Sequence, residues 1–216
     1  MSYKSIAALG DSITNGFWDE TFQGWFGRLA EKISKKHPFT GIKGKPRFGF
    51  HNLSMDGDRV CDAFHRLAAE GCSREDFDVL LIKIGGNDVI RSPNPDSPMD
   101  LSEHVREEYW HKLLTLAKKN SETVIVLDIL PRHKDDTIAY GWFDAPMHEY
   151  NADRVAYNDQ IANICATQNI PFIRMHDKWA KRDLSKYYVD TSHPNGAGHQ
   201  LIADEVFEEL EKMGIV

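Results

Sequence analysis

A serine hydroxyl becomes an effective nucleophile only when a base beside it takes its proton. The chain carries one segment suited to each half of that pair. Gly10-Asp11-Ser12-Ile13-Thr14-Asn15-Gly16 follows a short apolar run and sets Ser12 where a strand turns into a helix, with backbone N–H groups facing outward. Asp190-Thr191-Ser192-His193-Pro194-Asn195-Gly196 puts a carboxylate and an imidazole three residues apart on one loop, ahead of the last helical segment. A carboxylate on one ring nitrogen supplies the tautomer and orientation that a basic histidine needs. Two further segments offer donors for a carbonyl oxygen that becomes negative. Asn52-Leu53-Ser54-Met55-Asp56-Gly57 presents the Gly57 N–H, and Gly85-Gly86-Asn87-Asp88 presents the Asn87 side-chain amide.

Each segment taken alone has a plainer reading. Ser12 could be a helix cap, Gly57 a turn glycine and Asn87 an Asx turn. His193 is one of 10 histidines. The Gly-x-Ser-x-Gly elbow is not matched, because Thr14 stands two residues after Ser12. The glycine spacing fits neither a dinucleotide fingerprint nor a P-loop. No HExxH helix or similar ligand cluster occurs, so no metal and no cofactor are expected, and the His193–His199 spacing reads as a loop followed by helix surface.

These residues must be positioned by an alternation of strands and helices. Ser5–Leu9, Arg47–Leu53, Val79–Ile84, Thr123–Leu130 and Pro171–Met175 read as strands; the near-continuous apolar runs suit a parallel sheet covered on both faces. Between them, Phe22, Phe26, Leu29 and Ile33 fall on one helical face, as do Val60, Phe64, Leu67 and Ala68. Trp110, Leu113, Leu114 and Ala117 form another stripe, and Ile202, Val206 and Leu210 the last. The pattern predicts an α/β/α sandwich, three layers around a five-stranded parallel sheet with right-handed crossovers, spanning residues 1–216 as one domain. Ser12, Gly57, Asn87 and His193 then share one edge of that sheet. The loops over 17–25, 91–100 and 131–149 lie where open α/β sheets place their sites.

With all four segments in order, the chain resembles the SGNH (GDSL-type) hydrolase superfamily, whose four blocks contribute Ser, Gly, Asn and His. The blocks stand here as Gly-Asp-Ser-Ile-Thr, the segment ending at Gly57, Gly-Gly-Asn-Asp and Asp-Thr-Ser-His-Pro, and the likeness spans residues 6 to about 205. Ile13 replaces the leucine of the GDSL name, an apolar exchange. The resemblance implies a flavodoxin-like hydrolase fold and a serine esterase. It makes Ser12 the nucleophile, His193 the base and then acid, and Asp190 its orienting partner. The oxyanion hole would be the N–H groups of Ser12 and Gly57 with the side chain of Asn87. The substrate would be a small-molecule ester, with thioesters, lysophospholipids and O-acetylated carbohydrates also within the superfamily's range.

Composition narrows the alternatives. With 216 residues, 41% hydrophobic and a formal net charge of −7, the chain suits a folded enzyme and no general nucleic-acid partner. No stretch is long and apolar enough for stable membrane insertion. The N-terminus lacks a signal-peptide pattern, and three cysteines (Cys61, Cys72 and Cys165) without a CxxC pair suit reduced thiols; both point to the cytoplasm. Phe17 and Trp18, together with Tyr140, Trp142 and Phe143, are candidates for a substrate pocket or lid, or else are scattered core residues. Arg132, His133 and Lys134 would suit an anionic group or be solvated surface. Two other classes remain at this level. One is a flavodoxin-like anion-binding module, which leaves Asn87 and the Asp190/His193 pair without a task; the other is an interaction protein, supported only by the aromatic insertion. Oligomeric state is not encoded in any of these features.

Overall fold

A computed structural model of the chain describes residues 3–38, 47–71, 76–138 and 145–216. Five strands build one parallel sheet: β1 (Tyr3–Gly10), β2 (Arg47–Asn52), β3 (Phe77–Lys83), β4 (Ser121–Leu127) and, after a small hairpin, β7 (Phe172–Ile173), in the order β2-β1-β3-β4-β7. Ile6 pairs with Phe50 on one side and with Val79 on the other, and Val126 pairs with Phe172. Parallel neighbours need long crossovers, and helices supply them: α2 (Gly24–Lys36), α3 (Val60–Gly71), α4 (Glu103–Asn120), α5 (Asn151–Thr167) and the closing α7 (Gly196–Lys212). Short α1 (Ser12–Asn15) leaves β1, and α6 (His176–Ala180) leaves β7.

Alternate residues of the central strands feed two separate cores. Ala7, Leu9, Leu80 and Ile82 pack with Val60 and Leu67 of α3, Trp110 and Leu114 of α4, and Tyr157 and Ile161 of α5. Ile6, Ala8, Leu81 and Ile125 pack with Trp25 and Leu29 of α2, Trp179 of α6, and Ile202 and Val206 of α7. Sheet burial on both faces explains why Ile6 to Leu9 can all be apolar. The three-layer architecture is therefore the expected one.

The details depart from expectation in five places. The strand expected over Thr123–Leu130 ends at Leu127, and that over Pro171–Met175 shrinks to Phe172–Ile173. The 131–149 segment is not simply a loop, since β5 (Asp136–Ile138) and β6 (Met147–Glu149) pair antiparallel within it. Helix α5 had no counterpart among the apolar stripes, because its buried side includes Arg154 and Asn158. Phe22 does not join the α2 stripe: it is 90% exposed and has φ 57°. Gly24 also has positive φ, so the helix starts only there, and Gly16 and Gly24 meet backbone to backbone, where a Cβ on either would come within 2.8 Å of the other.

His199 is the other correction. It is fully buried in α7 instead of lying on the helix surface. Its Nδ1 accepts the Trp25 N–H at 3.1 Å, which leaves Nε2–H to donate to the Phe17 carbonyl at 3.3 Å. Burial is the chief cause that pulls its pKa down to about 4. The unfolded chain, with a histidine near 6.5, binds the proton more readily between these values. His199 thus contributes its full stability above pH ~6.5 and loses it as pH falls toward ~4, a loss of roughly 2 kcal/mol between pH 7 and pH 5. His199→Asn, which keeps an acceptor near the Nδ1 position, is expected to flatten this dependence. Urea midpoints at pH 7 and pH 5 check it, and an equally steep loss in the variant would assign the titration elsewhere.

Candidate active site

Strand β1 delivers Ser12 through a tight exit. At Gly10 a side chain would collide with the Lys83 carbonyl of β3 and with Thr14, so glycine permits the close approach. Asp11 caps α1, its Oδ1 accepting the Ile13 N–H at 3.0 Å. Ser12 is the first residue of α1 and 8% exposed. Its hydroxyl faces inward across the sheet edge toward the loop before α7.

Ser12 Oγ lies 3.1 Å from His193 Nε2, and His193 Nδ1 lies 2.8 Å from Asp190 Oδ2. The second contact requires Nδ1 to carry the proton, which turns the Nε2 lone pair toward the serine. Asp190 also accepts the Ser192 and His193 N–H groups at 2.7 Å each and Trp18 Nε1–H at 3.2 Å. Burial by itself would raise this carboxyl's pKa. The His193 ring and the two backbone donors override it and hold the group well below the usual carboxylate range. It is therefore an anion at any pH where the imidazole is neutral.

Gly57 is exposed with φ 80°, a left-handed turn following β2. Asn87 begins a one-turn 3₁₀ helix after β3, and its Nδ2 donates to the Asp58 carbonyl at 2.9 Å. A carboxamide nitrogen carries two hydrogens, so one fixes the side chain and the second stays available. Asp88 ties the two segments together beneath. Its Oδ1 accepts the Val60 N–H at 3.0 Å and its Oδ2 accepts the Tyr157 hydroxyl at 2.6 Å, while burial pushes its carboxyl up to about 7.

The loop carrying Asp190 and His193 is held from behind by buried charge. Glu149 Oε2 pairs with Arg132 and, at 2.6 Å, with Arg154 Nη2. Arg132 Nη1 donates to Ser192 Oγ at 2.8 Å and Nη2 to Thr191 Oγ1, while the His133 N–H donates to the Thr191 carbonyl at 2.9 Å. Burial opposes ionisation of Glu149, but the charges of Arg154 and Arg132 outweigh it and keep its pKa low. Arg132 is 1% exposed, so neither reading of 132–134, anion contact or solvated surface, describes it; His133 and Lys134 are exposed.

Sequence reasoning thus brought Ser12, His193 and Asp190 together, and placed Gly57 and Asn87 on the same edge. Phe17 and Trp18 adjoin the site, the Phe17 ring centroid 5.0 Å from that of His193. Tyr140, Trp142 and Phe143 lie outside the described residues. It missed Glu149 and Arg154 and the inward role of Arg132; Glu149 carries no signal beyond charge in the 131–149 stretch, and Arg154 none beyond charge on a helix. It also missed the indole donor to Asp190, for which no spacing rule exists.

This fold and edge define a class. The chain belongs to the GDSL-like lipase/acylhydrolase family, matched over residues 8–201, and is an enzyme that hydrolyses carboxylic esters. Among particular relatives, it is similar to the uncharacterized protein YpmR of Bacillus subtilis (strain 168), 24% identical over 97% of this chain and 82% of that protein. It also superposes on a lipolytic G-D-S-L family member from Veillonella parvula DSM 2008, with a TM-score of 0.69 and 19% identity over 98% of this chain and all of that one. The acetyl xylan esterase AlAXEase gives a TM-score of 0.70 and 18% identity, over 95% of this chain and 99% of that one. At such identities the two superpositions establish the fold. Among the described residues no helix is long and apolar enough to cross a membrane.

Glu149→Gln tests the buried charge. It leaves two guanidinium groups without their counter-ion, and breaking a buried pair from one side costs about 3–5 kcal/mol. Denaturant titration of the variant at pH 7 is expected to show a loss of that size. A change under 1 kcal/mol would mean that water compensates the arginines.

Proposed function

We propose that the protein cleaves carboxylic esters through an acyl-Ser12 intermediate. The observation that carries this reading is the chain of contacts from Ser12 Oγ to His193 Nε2 and from His193 Nδ1 to Asp190, 3.1 and 2.8 Å long. In the first step His193 Nε2 takes the serine proton as Oγ attacks the carbonyl carbon. The resulting oxyanion is received by the Ser12 and Gly57 N–H groups and the second hydrogen of the Asn87 amide. The carbon–oxygen bond to the alcohol then breaks, and the alcohol leaves with the proton from His193. Water, deprotonated by the same imidazole, attacks the acyl-enzyme and releases the acid. Asp190 keeps the ring oriented and stabilises the transient imidazolium. Well-placed proton transfer contributes roughly 10²–10⁴-fold, and one oxyanion donor roughly 10²–10³ in turnover.

The burial of Arg132 weakens the case for lysophospholipid, because the cation once available to a phosphate is already bound to Glu149, Ser192 and Thr191. Small uncharged esters, acetylated alcohols among them, are the substrates this site suits best.

Wild-type protein is expected to turn over p-nitrophenyl acetate and to be labelled by a fluorophosphonate probe, and Ser12→Ala to do neither. Hydrolysis at the wild-type rate in that variant would dismiss Ser12 as nucleophile. Asn87→Ala is expected to lower kcat by about 10²-fold with KM changed much less, as steady-state kinetics would record. A loss confined to KM would count against its role at the oxyanion.

A further inference from the structure

Beside the base and acid lies a cleft of about 700 Å³, walled by Phe17, Trp18, Phe22 and Val189 with Glu20 at its rim. Three of these apolar walls, Phe17, Trp18 and Val189, are attached to the His193–Asp190 pair or adjoin it in the chain, and Phe22 extends the wall outward. The Phe17 ring stands 5.0 Å from the His193 ring and 4.9 Å from the Trp18 ring. Trp18 donates its indole N–H to Asp190, and Val189, next to Asp190 in the chain, donates its N–H to the His193 carbonyl at 3.0 Å. Trp18, Phe22 and Val189 are 48%, 90% and 53% exposed.

The chain holds these rings in water at a conformational cost. Trp18 has φ 65° and Phe22 φ 57°, both in the left-handed region that bulky side chains rarely occupy. The segment is fixed from beneath by Asp19, which accepts the Thr21 and Gly24 N–H groups at 3.2 and 2.9 Å and pairs with Arg28 Nη2 at 2.7 Å. Burial would raise the Asp19 pKa, but the Arg28 and Thr21 hydrogen bonds dominate and keep it low, so the anchor stays charged. An aromatic surface this exposed and this firmly braced is a preformed wall.

The direction of the reaction assigns the wall's occupant. Around the tetrahedral carbon, one oxygen points to the donors at the ends of β1, β2 and β3. The leaving oxygen must lie within reach of His193 Nε2 to collect its proton. The alcohol is therefore the part of the ester that extends along the His193 side, and the acyl chain extends away from it. We infer that the cleft formed by Phe17, Trp18, Phe22 and Val189 seats the leaving alcohol, and that this alcohol is uncharged and aromatic; the inference rests on the acyl-Ser12 reading. Stacking on Trp18 and Phe22 favours a flat ring. The carboxylates of Glu20 and Asp190 along the same side disfavour an anionic one.

The test is a matrix of esters assayed on wild type, Phe22→Ala and Ser12→Ala. One series keeps the acetyl group and varies the alcohol from methyl to 2-naphthyl; the other keeps 2-naphthol and lengthens the acyl chain to octanoate. Because kcat/KM reports acylation, while the alcohol is still attached, intrinsic reactivity cancels when variant is divided by wild type. Phe22→Ala is expected to lower kcat/KM about tenfold more for 2-naphthyl acetate than for methyl acetate, with the acetate-to-octanoate ratio preserved within twofold. Phe22 is almost wholly exposed, so its truncation does not threaten folding. A change in acyl preference with alcohol preference intact would overturn the assignment while leaving the Ser12 chemistry standing. Hydrolysis that survives in Ser12→Ala would instead remove the reading on which the assignment rests. A variant Trp18→Phe separates wall from hydrogen bond: it is expected to lower kcat for both acetates alike while keeping the 2-naphthyl preference. Loss of that preference with kcat intact would show that the indole N–H does not position Asp190.

Discussion

Hydrogen bonding five strands in parallel imposes one constraint from which the rest of the molecule follows. Each strand must return through a crossover before the next can be laid beside it, so every strand ends at the same edge. Ser12 and His193 are 181 residues apart in the chain yet meet there at 3.1 Å. Gly57 and Asn87 reach that edge by the same geometry, from the strands on either side of β1. The price of the arrangement is a set of loops whose backbones and charges must be held without the help of the sheet.

Buried polar groups do that holding. Asp88 joins the turn after β3 to the start of α3 through Val60, and reaches across to Tyr157 of α5. Asn158, one residue on, clasps the Ile129 backbone from both sides, donating to its carbonyl and accepting its N–H at 2.8 Å each. Glu149 collects Arg132 and Arg154, and these in turn fasten Thr191 and Ser192. Helix α5 is thus both a core helix and a polar brace, which is why it packs Arg154 and Asn158 where a simple amphipathic helix would place leucine.

That dual role marks the boundary of what the sequence discloses. The strands of the inner sheet are legible because both of their faces are apolar, and Ser12, Asp190 and His193 because they stand in two short local blocks, Gly10-Asp11-Ser12 and Asp190-Thr191-Ser192-His193, that resemble those of a known family. Helix α5 is not, since its buried side mixes Tyr157 and Ile161 with charged and amide groups whose partners lie elsewhere in the chain. His199 reads as surface for the same reason: its partners, Trp25 and Phe17, are 174 and 182 residues away. Phe22 misleads in the opposite sense, matching the period of α2 while the left-handed backbone at Phe22 and Gly24 excludes it from the helix. Local pattern reports what a residue does within its own element; it is silent where a side chain answers to another part of the fold.

The backbone contact between Gly16 and Gly24 closes the seven residues between them into a loop with a pinched neck. Ser12 stands on one side of the neck and α2 on the other, and the loop meets the Ser12 edge through Phe17 and Trp18, which touch His193 and Asp190. Such a neck leaves the exposed tip at Phe22 free to vary in what it presents, while the two positions nearest the neck stay tied to His193 and Asp190.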